Sequence, residues 1–288
     1  MIINLRDLWD FADLEATEAH LRATLAVAET RGDNPLIAAL LSQFARLDGL
    51  RGHFDAGQQH IAQSRAYLPT GPSWEGACVL LEEARLDYAR GCISQAGQGF
   101  ETALRAAEDC GAVDVAIDAL HMCAIVSAPQ EAIVWSERAE QKVLESGAEM
   151  REWLGPILNN RGWAHVDVGD LAQALRCFER DVALREETGS SETRQIAEWN
   201  SAHVLRLMGR LDDATAIQLR LAGEIGNNGK GIGYVFEELA EIATATGNDS
   251  QAATYARDAL AIYRRTGMSE DSEPQRFQRL ESLARCNA

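Results

Sequence analysis

Proline is scarce, with six in 288 residues, and runs of β-branched residues suited to a sheet are nearly absent. With alanine, leucine, glutamate and arginine frequent, this argues against a sheet protein and for helix. No stretch approaches 18 consecutive apolar residues, so no membrane-spanning helix is expected. The opening MIINLRDLWDF has no basic segment leading into an apolar one, so a secretory signal is not expected either. Positive charge is in deficit: 27 Lys and Arg stand against 44 Asp and Glu, a net charge of -17. Such a surface repels phosphate backbones and anionic lipids, which sets aside nucleic acids and membranes as partners and favours a basic peptide or protein face. The cysteines (Cys78, Cys92, Cys110, Cys123, Cys177 and Cys286) include no CxxC pair. They read as reduced thiols of a cytoplasmic protein, several of them buried, rather than as a disulfide framework.

Catalytic and metal signatures are missing as well. The histidines (His20, His53, His60, His121, His165 and His203) form no HExxH and no Cys/His ligand spacing. There is no GxSxG elbow, and DVGDL at 167–171 lacks the spaced oxygens of a calcium loop. Glu237, Glu238 and Glu241 have acid/base chemistry in principle, but without an accompanying pocket they read as a solvated helix face. No cofactor and no enzymatic activity are expected. GEIGNNGKGIGY at 223–234 has the glycines and the lysine of a phosphate loop. However, Gly231 stands where the loop requires Ser or Thr, and Glu224 stands where its first Gly belongs.

What the chain does have is a repeat. GDLAQALRCF at 169–178, GRLDDATAIQ at 209–218 and GNDSQAATYA at 247–256 are copies of one pattern, with earlier copies at 52–61, 91–100, 127–136 and, degenerately, 12–21. A second glycine follows each start by about twenty residues: Gly32, Gly71, Gly111, Gly147, Gly189, Gly229 and Gly267. The two ladders share a period of about 39 residues. The second glycine suits the left-handed position after a helix, so Gly229 accounts for the glycine-rich stretch as an inter-repeat turn, with a hinge before the seventh hairpin as a corollary. Between the ladders lies one helix, B, and before the first glycine of each pair lies another, A: 36–50, 76–89, 113–126, 154–168, 194–208 and 232–246. At 127–129 the turn is Ser-Ala-Pro, with Pro129 suited to a first helical turn.

These residues resemble the tetratricopeptide repeat. With the turn glycine counted as position fifteen, position eight holds Ala45, Ala84, Leu120, Gly162, Ala202 and Ala240. Position twenty holds Thr17, Gly57, Ala96, Ala132, Ala174, Ala214 and Ala252. These are mostly the small residues the family places where helices A and B cross. The longer period, the lack of an aromatic at position eleven and the lack of a closing proline depart from the family pattern. The resemblance implies an all-α, right-handed solenoid of about seven hairpins in a single domain, 1–288. Repeats would fall at 1–32, 33–71, 72–111, 112–147, 148–189, 190–229 and 230–267, with a capping helix at 270–286.

In that family, A-helix positions line a concave groove. Position six holds Gln43, Glu82, Asp118, Asn160, Asn200 and Glu238, and position nine holds Arg46, Arg85, His121, Trp163, His203 and Glu241. Being three apart, the two positions share a helix face. Asn159, Asn160 and Asn200 are suited to pairing with a peptide backbone, and Trp163 and Trp199 to anchoring apolar groups. Arg46 and Arg85 toward one end, with Glu237, Glu238 and Glu241 toward the other, suit a peptide of mixed charge. An ordinary wetted surface shows the same polarity. The expected function is a non-catalytic cytoplasmic scaffold binding a peptide or protein in the groove. The rival is a regulator that senses a ligand or signalling peptide and acts through a separate partner. Exposed Trp9 and Phe11 leave weak homodimerisation open.

Overall fold

The computed structural model describes residues 5–188, 191–226 and 231–285. Gly189, Gly229, Lys230 and Cys286 lie outside them, so the turns expected at 189 and 229 and the hinge at 226–233 are not described in full. The described residues form fourteen α-helices and no strand. The chain divides into two compact units, Met1–Asn160 and Arg161–Ala288.

Unit 1 contains α1 (Leu14–Arg31), α2 (Asn34–Leu50), α3 (Phe54–Arg65), α4 (Trp74–Ala89), α5 (Ile93–Cys110), α6 (Val113–Val126) and α7 (Pro129–Ser146). The unit boundary falls within α8 (Leu154–Asp167). Unit 2 continues with α9 (Leu171–Thr188), α10 (Ser191–Leu207), α11 (Leu211–Ile225), α12 (Ile232–Ala245), α13 (Asp249–Arg265) and α14 (Pro274–Arg285). The expected A helices correspond to α2, α4, α6, α8, α10 and α12, each within two residues at either end except that α10 begins three residues earlier than expected. The first repeat differs. Among the described residues it has the long helix α1 and, where helix A was expected, only a 3-10 turn at Leu5–Leu8. A second 3-10 segment, Ala148–Trp153, leads into α8.

The turns form for local reasons. Gly52, Gly91, Gly169, Gly209 and Gly247 all have φ between 72° and 82°, a left-handed backbone that costs glycine nothing and other residues strain. Ser127, Ala128 and Pro129 achieve the same reversal without glycine, with Pro129 opening α7. Helix starts are capped where the sequence supplies a carboxylate or hydroxyl. Asp13 accepts from the Glu15 and Ala16 amides, Asp33 from Leu36, and Ser73 from Gly76.

Packing repeats from hairpin to hairpin. In unit 1, α2 contacts both α3 and α4, and α4 contacts both α5 and α6. In unit 2, α10 packs on α9, α11 and α12, while α12 packs on α13 and α13 on α14. Consecutive A helices are therefore neighbours within each unit. The cores are leucine-rich in unit 1, with Leu40, Leu47, Leu86 and Leu120 fully buried. Each such side chain contributes about 1.5–3 kcal/mol. Small residues at the crossings permit close approach. A Cβ on Gly162 would lie 2.5 Å from the Phe178 ring. Helix α14 buries Phe277 and Leu280 against the last hairpin, as a cap must.

Candidate functional site

The strip expected from the repeat register separates into two sets, one per unit. In unit 1, Gln43, Glu82, Arg85, Asp118 and Arg46 form one network. Gln43 Nε2 donates to Glu82 Oε1 (3.3 Å), as does Arg85 Nη1 (2.7 Å), and Arg85 Nη2 also donates to Asp118. Arg46 stands 3.9 Å from Glu82. Burial pushes the Asp118 carboxyl up, but the Arg85 guanidinium outweighs it and holds the group below the usual carboxylate range. Arg46 and Arg85 are therefore not free charges awaiting an acidic ligand. The mixed-charge groove expected from sequence is neutralised at this point by the protein itself.

Around this network lies a cavity of about 950 Å³. Gln43, Arg46, Glu82 and Asp118 line it, whereas Arg85 holds Glu82 and Asp118 from beside it. His121 is not part of the lining; its ring meets Trp153 edge-on at 5.7 Å, and burial lowers its basicity. Asn159 Nδ2 donates to Asn160 Oδ1 (3.2 Å), and neither lines the cavity.

The remaining lining comes from residues the repeat register did not single out. Trp9, Trp74 and Trp153 all face the cavity. Trp9 Nε1 donates to Gln43 Oε1 (2.9 Å), and its ring carries the Arg46 guanidinium at 4.7 Å. Trp153 carries that of Arg6 at 4.4 Å. Trp74 Nε1 donates to Asp114 Oδ2 (2.9 Å). Seven carboxylates line the cavity: Asp33, Glu75, Glu82, Asp114, Asp118, Glu149 and Glu152. The guanidiniums in the lining are those of Arg6 and Arg46. Cys78 also faces it, but burial, reinforced by Asp114 and Glu82, pushes its thiol well above the usual range and keeps it from acting as a thiolate. Asp114 was within reach of sequence reasoning, since it occupies the second position of an A helix. Trp9 and Trp153 were not, because they lie outside the α-helices of their repeats.

Unit 2 uses its strip differently. Trp163, Trp199 and His203 pack together, with ring centroids 5.4–6.4 Å apart, and Trp199 Nε1 donates to the Tyr234 carbonyl (3.1 Å). Glu238 faces His203 Nδ1 at 3.1 Å and accepts from Arg206; burial acts to raise this carboxyl, and the two partners overcome it and lower it. Glu237 accepts from the Tyr263 hydroxyl (2.6 Å) and from Arg276 and Arg279. Arg279 also lies 3.1 Å from Glu241, an ion pair without hydrogen-bond alignment. Asn200 is buried rather than presented on an open face. Glu198 occupies an otherwise apolar position and is buried between Arg194 and Arg220. Among the described residues, no group of three His, Cys, Asp or Glu is placed to hold a metal ion.

Comparison with known proteins agrees with this architecture. The tetratricopeptide-repeat family model matches residues 157–188. A comparison with curated protein sequences finds no match. Among solved structures, a tetratricopeptide repeat protein from Parabacteroides merdae ATCC 43184 is 17% identical, with a TM-score of 0.55 and 96% of each chain covered. RapI in its apo form superposes with a TM-score of 0.70 at 12% identity, over 91% of this chain and 74% of that one. The STAND protein with a tetratricopeptide repeat sensor from Pyrococcus horikoshii gives 0.72 at 13% identity, over 88% of this chain and 38% of that one. At such identities the likeness is one of fold.

Proposed function

From a tetratricopeptide-type fold with an indole-lined cavity, we propose that this chain is a non-catalytic interaction module that holds a peptide or protein segment against the A-helix face of unit 1. The observation carrying the reading is the cavity of about 950 Å³, which gathers Trp9, Trp74 and Trp153 with the polar network around Glu82. Three of the chain's six tryptophans face one concavity. Indoles are the side chains that most often dominate binding energy, and they need a concave, mostly prebuilt site to do so.

Sensing of a small ligand or signalling peptide, with the signal passed to a separate partner, is the second reading. It is favoured by the cavity volume, which lies within the range of small-ligand sites.

Panning a displayed random heptapeptide library on the full chain tests the first reading. Val113 lines the cavity and is 38% exposed, so Val113→Trp obstructs the cavity without touching the core. Leu144→Trp, on exposed α7 surface, is the control. Selected peptides should bind the parent and the control alike and lose at least tenfold on Val113→Trp. Equal binding by the obstructed variant would remove the cavity from the account.

A further inference from the structure

The unit 1 cavity is built to receive positive charge. Its seven lining carboxylates face two lining guanidiniums, and even with Arg85 counted four negative charges remain in excess. A concavity with that balance concentrates cations. Excess charge alone would not make a site, but Glu82 adds a specific acceptor. Only 2% of Glu82 is exposed, and Oε1 already receives Gln43 and Arg85, yet the buried Oε2 has no hydrogen-bond donor. Buried carboxylate oxygens are almost always satisfied, so Glu82, one of the lining residues, keeps an acceptor to spare.

The indoles indicate what kind of donor. Trp9 and Trp153 each carry one of the protein's own guanidiniums. Trp74 lines the same cavity with its N–H fixed on Asp114, and among the described residues no cation lies over its ring. A guanidinium or ammonium stacked on Trp74 meets the Asp114 carboxylate beside it, combining cation–π attraction with a charge-assisted hydrogen bond. Trp74, Cys78 and Glu82 lie four residues apart on α4 and share one face. The span from Trp74 to Glu82 is about 12 Å at 1.5 Å per residue. One small cation does not meet both ends. An extended chain covers that distance in about four residues.

We infer that the unit 1 cavity recognises an extended basic peptide, with one arginine or lysine against Trp74 and Asp114 and a second, about four residues on, donating to Glu82. The inference rests on the interaction-module reading and adds the chemistry of the partner.

The probes are a blocked alanine-based octapeptide with two arginines four residues apart, its double-citrulline counterpart, and spermidine. Each is titrated against the full chain by calorimetry at low and at physiological salt. The arginine peptide should bind at least tenfold more tightly than the citrulline peptide, and more weakly as salt rises. Glu82→Gln should reduce its affinity about tenfold. Because Glu82 also supports the fold, the double variant Glu75→Gln/Glu149→Gln, at the less buried part of the lining, provides a second arm. It should weaken the arginine peptide several-fold and leave the citrulline peptide unchanged. Equal affinity for arginine and citrulline peptides overturns the charge assignment while leaving the library result standing. Spermidine binding as tightly as the arginine peptide overturns the peptide in favour of a small polycation. Library peptides that ignore Val113→Trp instead dispose of the site itself.

Discussion

Glu82 in unit 1 and Glu237 in unit 2 are both buried carboxylates on A helices, one repeat position apart in register. Glu82 shares one oxygen between Gln43 and Arg85 and leaves the other without a donor. Glu237 collects the Tyr263 hydroxyl, Arg276 and Arg279, two of which arrive from α14. The same residue type on the same kind of helix is an open acceptor in one unit and a closed ion cluster in the other. The difference lies in the neighbouring element. Where a following helix projects arginines over the face, the acids become structural; where indoles from α4, from the 148–153 segment and from just after the 5–8 turn line the face instead, a cavity with excess acid remains.

Removing the internal cation should affect the two units unequally. Arg85→Met keeps the volume but leaves the buried Asp118 without its guanidinium and Glu82 with only Arg46 at 3.9 Å, which should cost about 3–5 kcal/mol in urea denaturation. Arg206→Met in unit 2 should cost clearly less, because His203 still faces Glu238. Equal losses would mean that the networks are equally compensated and that the contrast between the units is illusory.

A smaller effect is expected from the crossings. Gly162→Ala drives a methyl into the Phe178 ring and should cost about 1–3 kcal/mol. Unit 1 has Ala84 at the equivalent position, where the B-helix residue against it is Gly99 instead. Each crossing thus rests on one glycine, and a Cβ added to either glycine meets its neighbour at 2.5–2.7 Å. An unchanged denaturation midpoint for Gly162→Ala would show that the ring moves aside.

The last substitution is read by binding rather than by stability. Arg276→Ala with Arg279→Ala removes two partly exposed arginines, while the buried Glu237 keeps its bond from the Tyr263 hydroxyl. Yet it uncovers Glu237 and Glu241, giving unit 2 the uncompensated acid that unit 1 already has. Calorimetry with the two-arginine octapeptide should then show a second, weaker binding event. Its absence would mean that excess acid is insufficient without the indoles.

The helices were legible in the sequence almost to the residue, because the signals are local. A left-handed glycine reverses the chain at Gly52 or Gly209 whatever lies elsewhere, and a small residue at Ala202 or Ala214 is buried because helices cross there. The register also named the residues of a polar strip, but not their state. Arg46, Arg85, Glu238 and Glu241 read as ligands awaiting a partner, and each already has one within its own unit. A one-dimensional register says which face a charge lies on, not which opposite charge meets it there.

By itself, then, the chain's sequence determined the hairpins, their turns, their crossings and the acidic balance, since each follows from backbone freedom, side-chain size or composition within a few residues. Only the tertiary structure decided which acids are satisfied and where the cavity lies. Trp9 meets Gln43 across 34 positions, Trp74 meets Asp114 across 40, and Arg279 reaches Glu237 across 42. Such pairings depend on how stacked helices bring distant side chains within hydrogen-bond range, and no local pattern encodes that distance.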